Sequence, residues 1–220
     1  LDAALPGRNT QPAGLVGASM GGRVALDLAL AHPGRVAALV LIGPAVRGAP
    51  GVEPGDLSEA ERRLDAELDA ADEAGDLAEV NRIEAHLWLD GPESPEGRVA
   101  GPTRDLFLAM NGRALAAEAA GEVGDVGDVG EAEADRPSAW DRLEQVAAPT
   151  LVLVGDGDLT YVRARAEAVA DRVPGARLEV LAGTAHLPHL EAHPRCLDAV
   201  GDFLRRNDLL RRNDLLRRNG

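Results

Sequence analysis

The chain has 220 residues, 45% of them hydrophobic and 27% charged, with Cys196 as its single cysteine. That composition excludes a collagen-like, disulfide-stapled or wholly disordered chain and a zinc cluster built on thiolates, and it leaves one globular unit as the expectation. A formal net charge of −14, with every basic residue an arginine, disfavours nucleic acid or an anionic membrane as partner.

Only five aromatic residues occur (Trp88, Phe107, Trp140, Tyr161 and Phe203), so the core is expected to be aliphatic. No window approaches the roughly 20 apolar residues needed to cross a bilayer, and the N-terminus lacks a basic segment followed by an apolar core. The expected address is therefore the cytoplasm.

Residues 12–46 read as strand, sharp turn, helix, strand. Ala13 to Gly17 is a short apolar run, and Val24, Ala25, Leu28 and Ala29 recur at helical spacing before His32-Pro33-Gly34 ends the helix. Val36 to Ile42 is continuously apolar, as a strand covered on both faces of a parallel sheet would be.

Residues 47–136 change character, becoming rich in Glu, Asp, Ala and Gly. Ser58-Glu59-Ala60-Glu61 is a capping box opening a helix that Gly75 can close, and Asp76 can cap a second helix to about Leu89. A third helix is expected over Arg104 to Glu118, presenting Leu106, Phe107, Met110 and Leu115. The glycine-rich acidic repeat at 121–130 is expected to be a loop. The acidic run between Glu53 and Glu79 reads as a solvated helix face.

Strand pattern returns at Pro149 to Gly155, followed by a helix near Val162 to Arg172, a short strand from Arg177 to Leu181 and a last helix over about Pro194 to Leu204. Strands alternating with helices at this spacing predict an α/β fold with a parallel sheet. The expected division is a core βαβ unit with the sharp turn over 1–46, a helical insertion with its acidic loop over 47–136, the rest of the core over 137–204, and a basic repeat tail over 205–220. The leucines of that tail do not form one helical stripe, which predicts a disordered extension.

The chemistry centres on Gly17-Ala18-Ser19-Met20-Gly21, a Gly-x-Ser-x-Gly pattern lying between an apolar strand and a helix. Glycines beside the serine let strand and helix approach while the hydroxyl projects from a strained turn. The helix aims its amino terminus at the same place, favouring negative charge there. A serine hydroxyl needs a base oriented by a third group. Asp156 and Asp158 follow one strand, and His186 follows the next, in Gly183-Thr184-Ala185-His186. Parallel strands place their carboxyl ends on one edge, so all these turns can converge.

His186, His189 and His193 have intervals like those of metal ligands, but Pro188 and Pro194 interrupt any helix that would align them, and no metal site is expected. His32 and His86 read as helix-end or core residues. Trp88, Phe107 and Met110 are candidates to line an apolar pocket, with plain packing as the alternative.

The motifs Gly-Ala-Ser-Met-Gly-Gly-Arg-Val-Ala-Leu-Asp-Leu-Ala, Val-Leu-Val-Gly-Asp-Gly-Asp and Gly-Thr-Ala-His-Leu-Pro resemble the nucleophile elbow, acid loop and histidine loop of the α/β-hydrolase fold family, in its bacterial form with a helical lid. The resemblance covers residues 1 to about 204. It implies Ser19 as nucleophile, His186 as base, Asp158 rather than Asp156 as the acid, and the Met20 N–H as one donor of the oxyanion hole. It implies a small-molecule ester or lactone as substrate and no cofactor. Serine at the elbow argues against the epoxide hydrolases and haloalkane dehalogenases of that fold, which need Asp there.

The family takes a second oxyanion donor from a His-Gly motif after an earlier strand, and no such motif precedes residue 12. The expectation is thus a partial α/β-hydrolase fold lacking the first strands, with an unpaired edge on the strand at 13–17. A fragment, a shortened gene, or a homo-oligomer or second chain completing the sheet would each account for it. A catalytically impaired fragment and a binding protein are the alternatives to an active enzyme.

Overall fold

The computed structural model describes residues 11–121 and 137–209. Four strands, β1 (Ala13–Ala18), β2 (Val36–Ile42), β3 (Thr150–Gly155) and β4 (Arg177–Leu181), form one parallel sheet in the order β1-β2-β3-β4. The carboxyl ends of all four therefore lie along one edge. Among the described residues β1 is the outermost strand, and its Val16 is 53% exposed.

Side chains of β2 alternate between two helical layers, as the period-2 geometry of a strand requires. Leu39 and Leu41 pack on one face with α1 (Met20–Ala31) and α5 (Thr160–Arg172). Ala38, Val40 and Ile42 pack on the other with Cys196 and Phe203 of α7 (His193–Arg206), which follows the single turn α6 (Pro188–Glu191). Leu26, Leu39, Leu41, Leu151 and Leu153 are all but sealed from solvent, and each such side chain contributes roughly 1.5–3 kcal/mol.

Between β2 and β3 run α2 (Glu59–Glu73), α3 (Leu77–Ala85) and α4 (Pro102–Ala119), with a π-turn at His86–Asp90. The capping box at α2 forms as its sequence implies: the Glu61 N–H donates to Ser58 Oγ at 3.1 Å, and the Ser58 N–H to Glu61 Oε2 at 2.6 Å. Glu61 also does something its local sequence does not announce. It accepts from the Thr160 N–H and, at 2.8 Å, from the Thr160 hydroxyl, so one buried carboxylate caps both α2 and α5.

Two expectations require correction. Met110 is 62% exposed and takes no part in the cavity beside Trp88 described below. The face of α4 that meets α3 carries Asn111, hydrogen-bonded to Asn81, with Gly112 against the same Asn81 and Leu115 partly buried, and Met110 projects well round the helix from it. Residues 205–209 are ordered against the core: α7 runs to Arg206, and the turn at Asp208, with φ 57°, lets Leu209 fold back beside Leu204 and Gly14. The rest of the repeat tail, and the glycine-rich repeat from residue 122, lie outside the described residues.

Candidate active site

Ser19 stands between the end of β1 and the start of α1 with φ 48° and ψ −116°. A non-glycine residue in such a conformation costs roughly 1–3 kcal/mol and persists only where its surroundings hold it. Three backbone bonds do so: the Ser19 N–H donates to Ile42 O at 2.9 Å, and Ser19 O accepts from Arg23 N at 3.2 Å and Ala45 N at 3.1 Å.

The glycines around it are unequal. A Cβ on Gly17 would lie 2.2 Å from Gly21 O, and one on Gly22 would lie 3.1 Å from Pro44 Cβ, while one on Gly21 would meet open space. Close approach of strand and helix thus demands glycine at 17 and presses at 22, and the second glycine of the pentapeptide is not sterically required. Met20 opens α1, whose first turn leaves N–H groups without intrahelical acceptors beside Ser19.

Asp158 and His186 meet. The His186 Nδ1–H donates to Asp158 Oδ2 at 3.0 Å and Oδ1 at 3.1 Å, and both residues are buried. The carboxylate accepts, so the proton belongs on Nδ1 and Nε2 is left with its lone pair. Asp158 Oδ1 also accepts from the Leu159 N–H at 2.8 Å. Asp156 plays a different part, since its Oδ1 accepts from the Gly183 N–H at 2.7 Å and ties the acid loop to the histidine loop.

Gly43 links the pair to the serine. It follows Ile42, whose carbonyl holds Ser19, and a Cβ there would come within 3.0 Å of the His186 ring and 3.2 Å of Asp158 Oδ2. Ser19, Asp158 and His186 are therefore gathered at the carboxyl ends of β1 to β4, around a residue with no side chain. Gly43 was readable in the sequence as the Gly-Pro pair that ends the β2 run.

Trp88, on the π-turn, lies with its ring centroid 4.9 Å from that of His186 at an interplanar angle of 51°. With Leu57, Leu87, Leu159 and Tyr161 it lines a cavity of about 270 Å³. Phe107 does not reach that cavity and packs with Ala85 and Leu89. Burial pushes the Tyr161 phenol above its ordinary pKa against the opposing pull of Arg165.

His189 has a buried Nδ1 with no hydrogen-bond partner among the described residues, and burial first, then the neighbouring His186, lowers its pKa. Among the described residues no group of three or more His, Cys, Asp or Glu side chains is arranged to hold a metal.

The alpha/beta hydrolase fold profile matches residues 7–193. A Bacillus subtilis (strain 168) protein provisionally described as a 2-succinyl-6-hydroxy-2,4-cyclohexadiene-1-carboxylate synthase is 30% identical over 198 residues, covering 86% of this chain and 65% of its own length.

Among solved structures, a thermophilic esterase from Thermogutta terrifontis superposes with a TM-score of 0.59 at 26% identity, over 90% of this chain and 66% of the esterase. The 2-hydroxy-6-oxo-6-phenylhexa-2,4-dienoate hydrolase of Rhodococcus sp. strain RHA1 does so with a TM-score of 0.64 at 21% identity, over 89% and 64% respectively, a likeness of fold. The chain spans just under two thirds of the length of these relatives. No helix among the described residues is long and apolar enough to cross a membrane.

Proposed function

The chain belongs to the alpha/beta hydrolase fold family, and from that premise we propose that it is a serine hydrolase cleaving a carboxylic ester or lactone through an acyl-enzyme. The observation that carries this reading is the buried His186–Asp158 pair set against Gly43, one residue beyond the carbonyl that holds Ser19 in its strained turn.

In the proposed reaction Ser19 Oγ attacks the ester carbonyl and passes its proton to His186 Nε2. The imidazolium is stabilised by Asp158, which also fixes the tautomer. Charge on the carbonyl oxygen develops toward the Met20 N–H at the start of α1. Protonation of the leaving alcohol by His186 expels it, and a water activated by the same nitrogen then releases the acid and restores Ser19. The segment between β2 and β3 acts as a lid, with Trp88 over the imidazole and the cavity beneath it receiving the apolar part of the substrate.

Turnover of a short-chain p-nitrophenyl ester by the chain, lost in Ser19→Ala, is the expected result; equal turnover in that variant contradicts the reading. A second reading rests on β1 being the outermost strand among the described residues: a further strand, from a second copy or another chain, pairs there and the protein works as a binding module. That reading predicts no turnover together with a concentration-dependent assembly.

A further inference from the structure

We infer that Arg98 and Glu191 are positioning residues for His186, so that the helical segment between β2 and β3 sets the orientation of the imidazole. The inference rests on the hydrolase reading for its consequence in catalysis, and on hydrogen bonds alone for its geometry.

The loop from Ala182 to Ala185 carries His186 at its end. The core holds most of its backbone: Ala182 O accepts from Arg195 at 2.7 Å, the Gly183 N–H donates to Asp156 at 2.7 Å, and Thr184 O accepts from the Gly157 N–H at 2.9 Å. Two groups are served otherwise. Gly183 O accepts from Arg98 Nη1 at 2.9 Å, and the Ala185 N–H, next to His186, donates to both oxygens of Glu191, at 2.9 and 3.1 Å.

Arg98 joins these two from the other side. Its Nη2 donates to Glu191 Oε2 and, at 2.8 Å, to Leu89 O, while its Nε donates to Asp90 O at 2.6 Å. A single guanidinium thus fastens the π-turn that bears Trp88 to the loop that bears His186. Asp90, itself buried, presents Arg98 by accepting from the Gly97 and Val99 N–H groups, both at 2.8 Å.

The backbones also touch. Gly91 has φ 88°, and a Cβ on it would lie 2.4 Å from Gly157 O and 3.2 Å from Ala185 Cβ. Only 3% of the Glu191 side chain is exposed, so its charge depends on Arg98 for compensation. Removing the guanidinium leaves that carboxylate buried and unpaired and frees the peptide next to His186. A displacement on the order of 1 Å at a reacting group is enough to cost about 100-fold in rate.

The test compares the wild-type chain with Arg98→Ala, Arg98→Lys and Glu191→Gln by steady-state hydrolysis of a short-chain p-nitrophenyl ester, by thermal melting, and by the imidazole signals of His186 in ¹⁵N-histidine NMR spectra, assigned from their loss in His186→Gln. We expect kcat of Arg98→Ala to fall about 10- to 100-fold with KM within about twofold, displaced His186 signals, and partial recovery of kcat with added ethylguanidinium.

Arg98→Lys, which cannot span the four acceptors, should recover little. Glu191→Gln keeps an acceptor for Ala185 but loses the charge toward Arg98, and should fall between. Wild-type kcat and unmoved His186 signals in a folded Arg98→Ala protein overturn the inference. Should that variant fail to melt cooperatively, the same two readings in Arg98→Lys and Glu191→Gln decide. A wild-type chain with no turnover would defeat the hydrolase reading alone, since the His186 signals still report whether Arg98 orients the ring.

Discussion

Ser19 sits at the end of β1, which has a strand on one side only among the described residues, whereas Asp158 and His186 sit beyond β3 and β4 under the helical segment that follows β2. The serine is fixed by backbone: a strained φ, three main-chain bonds and the absence of a Cβ at Gly17. Asp158 and His186 lie in loops held by side chains: Asp156 takes the Gly183 N–H, Glu191 takes the Ala185 N–H from six residues on, and Arg98 reaches Glu191 across 93 residues. The strained turn and its glycine lie within a few residues of each other, although Ser19 also leans on Ile42 and Ala45, whereas the Arg98 contact joins segments that nothing local links.

The contrast can be broken most sharply at the chemistry. Ser19→Ala and His186→Ala should each lower kcat for a short-chain ester by about 10⁴- to 10⁶-fold, and the double variant should be little worse than either, because the two act as one unit. Asp158→Asn should cost about 10⁴-fold by removing the carboxylate that fixes the imidazole tautomer. Asp156→Asn keeps an acceptor for the Gly183 N–H and should stay within about threefold of wild type in the same assay. The reverse ranking would move the acid to Asp156.

On the serine side the sharpening pair is Gly17→Ala against Gly21→Ala. The first drives a methyl into Gly21 O and should cost about 1–3 kcal/mol, several degrees in melting temperature. The second meets open space in a helix and should leave the melting temperature unchanged or raise it slightly.

Glu61 tests the joint between the two regions. Glu61→Ala strips the capped ends of α2 and α5 at once, leaving the Ser58 and Thr160 N–H groups without their acceptor, and should lower stability by about 2–4 kcal/mol in a denaturant titration.

The smallest effect concerns His189. Burial and the nearby His186 hold its pKa below the ordinary value of about 6.5, so the folded state resists a proton that the unfolded chain accepts. Its contribution is intact above about pH 6.5 and is lost as the pH falls from there through the folded value. His189→Leu should therefore lose less melting temperature than wild type between about pH 7.5 and pH 5.5.

The fold was legible wherever one segment carried its own pattern. The apolar run from Val36 to Ile42 and the short strand from Arg177 to Leu181 have the limits their sequence predicts, and Ser58 and Asp76 cap the helices their positions predict. Partnerships between distant segments were not legible: Glu61 meets Thr160 across 99 residues and Arg98 meets Glu191 across 93. Nothing near Arg98 in the sequence distinguishes it from a solvated arginine.

Met110 shows the same limit from the opposite direction. Helical spacing groups it with Phe107, but which side of α4 is covered depends on where α3 packs. At the site, the serine, both aspartates and the histidine could be picked from turns after strands. Choosing between Asp156 and Asp158 took either a family resemblance or the distance to His186.

The most direct test of the central claim is covalent labelling of the chain with a fluorophosphonate, read by intact mass and peptide mapping. One adduct is expected, on the peptide containing Ser19, absent in Ser19→Ala and strongly slowed in His186→Ala. An unmodified chain, an adduct on another serine, or labelling of Ser19 that proceeds equally well without His186 would contradict it.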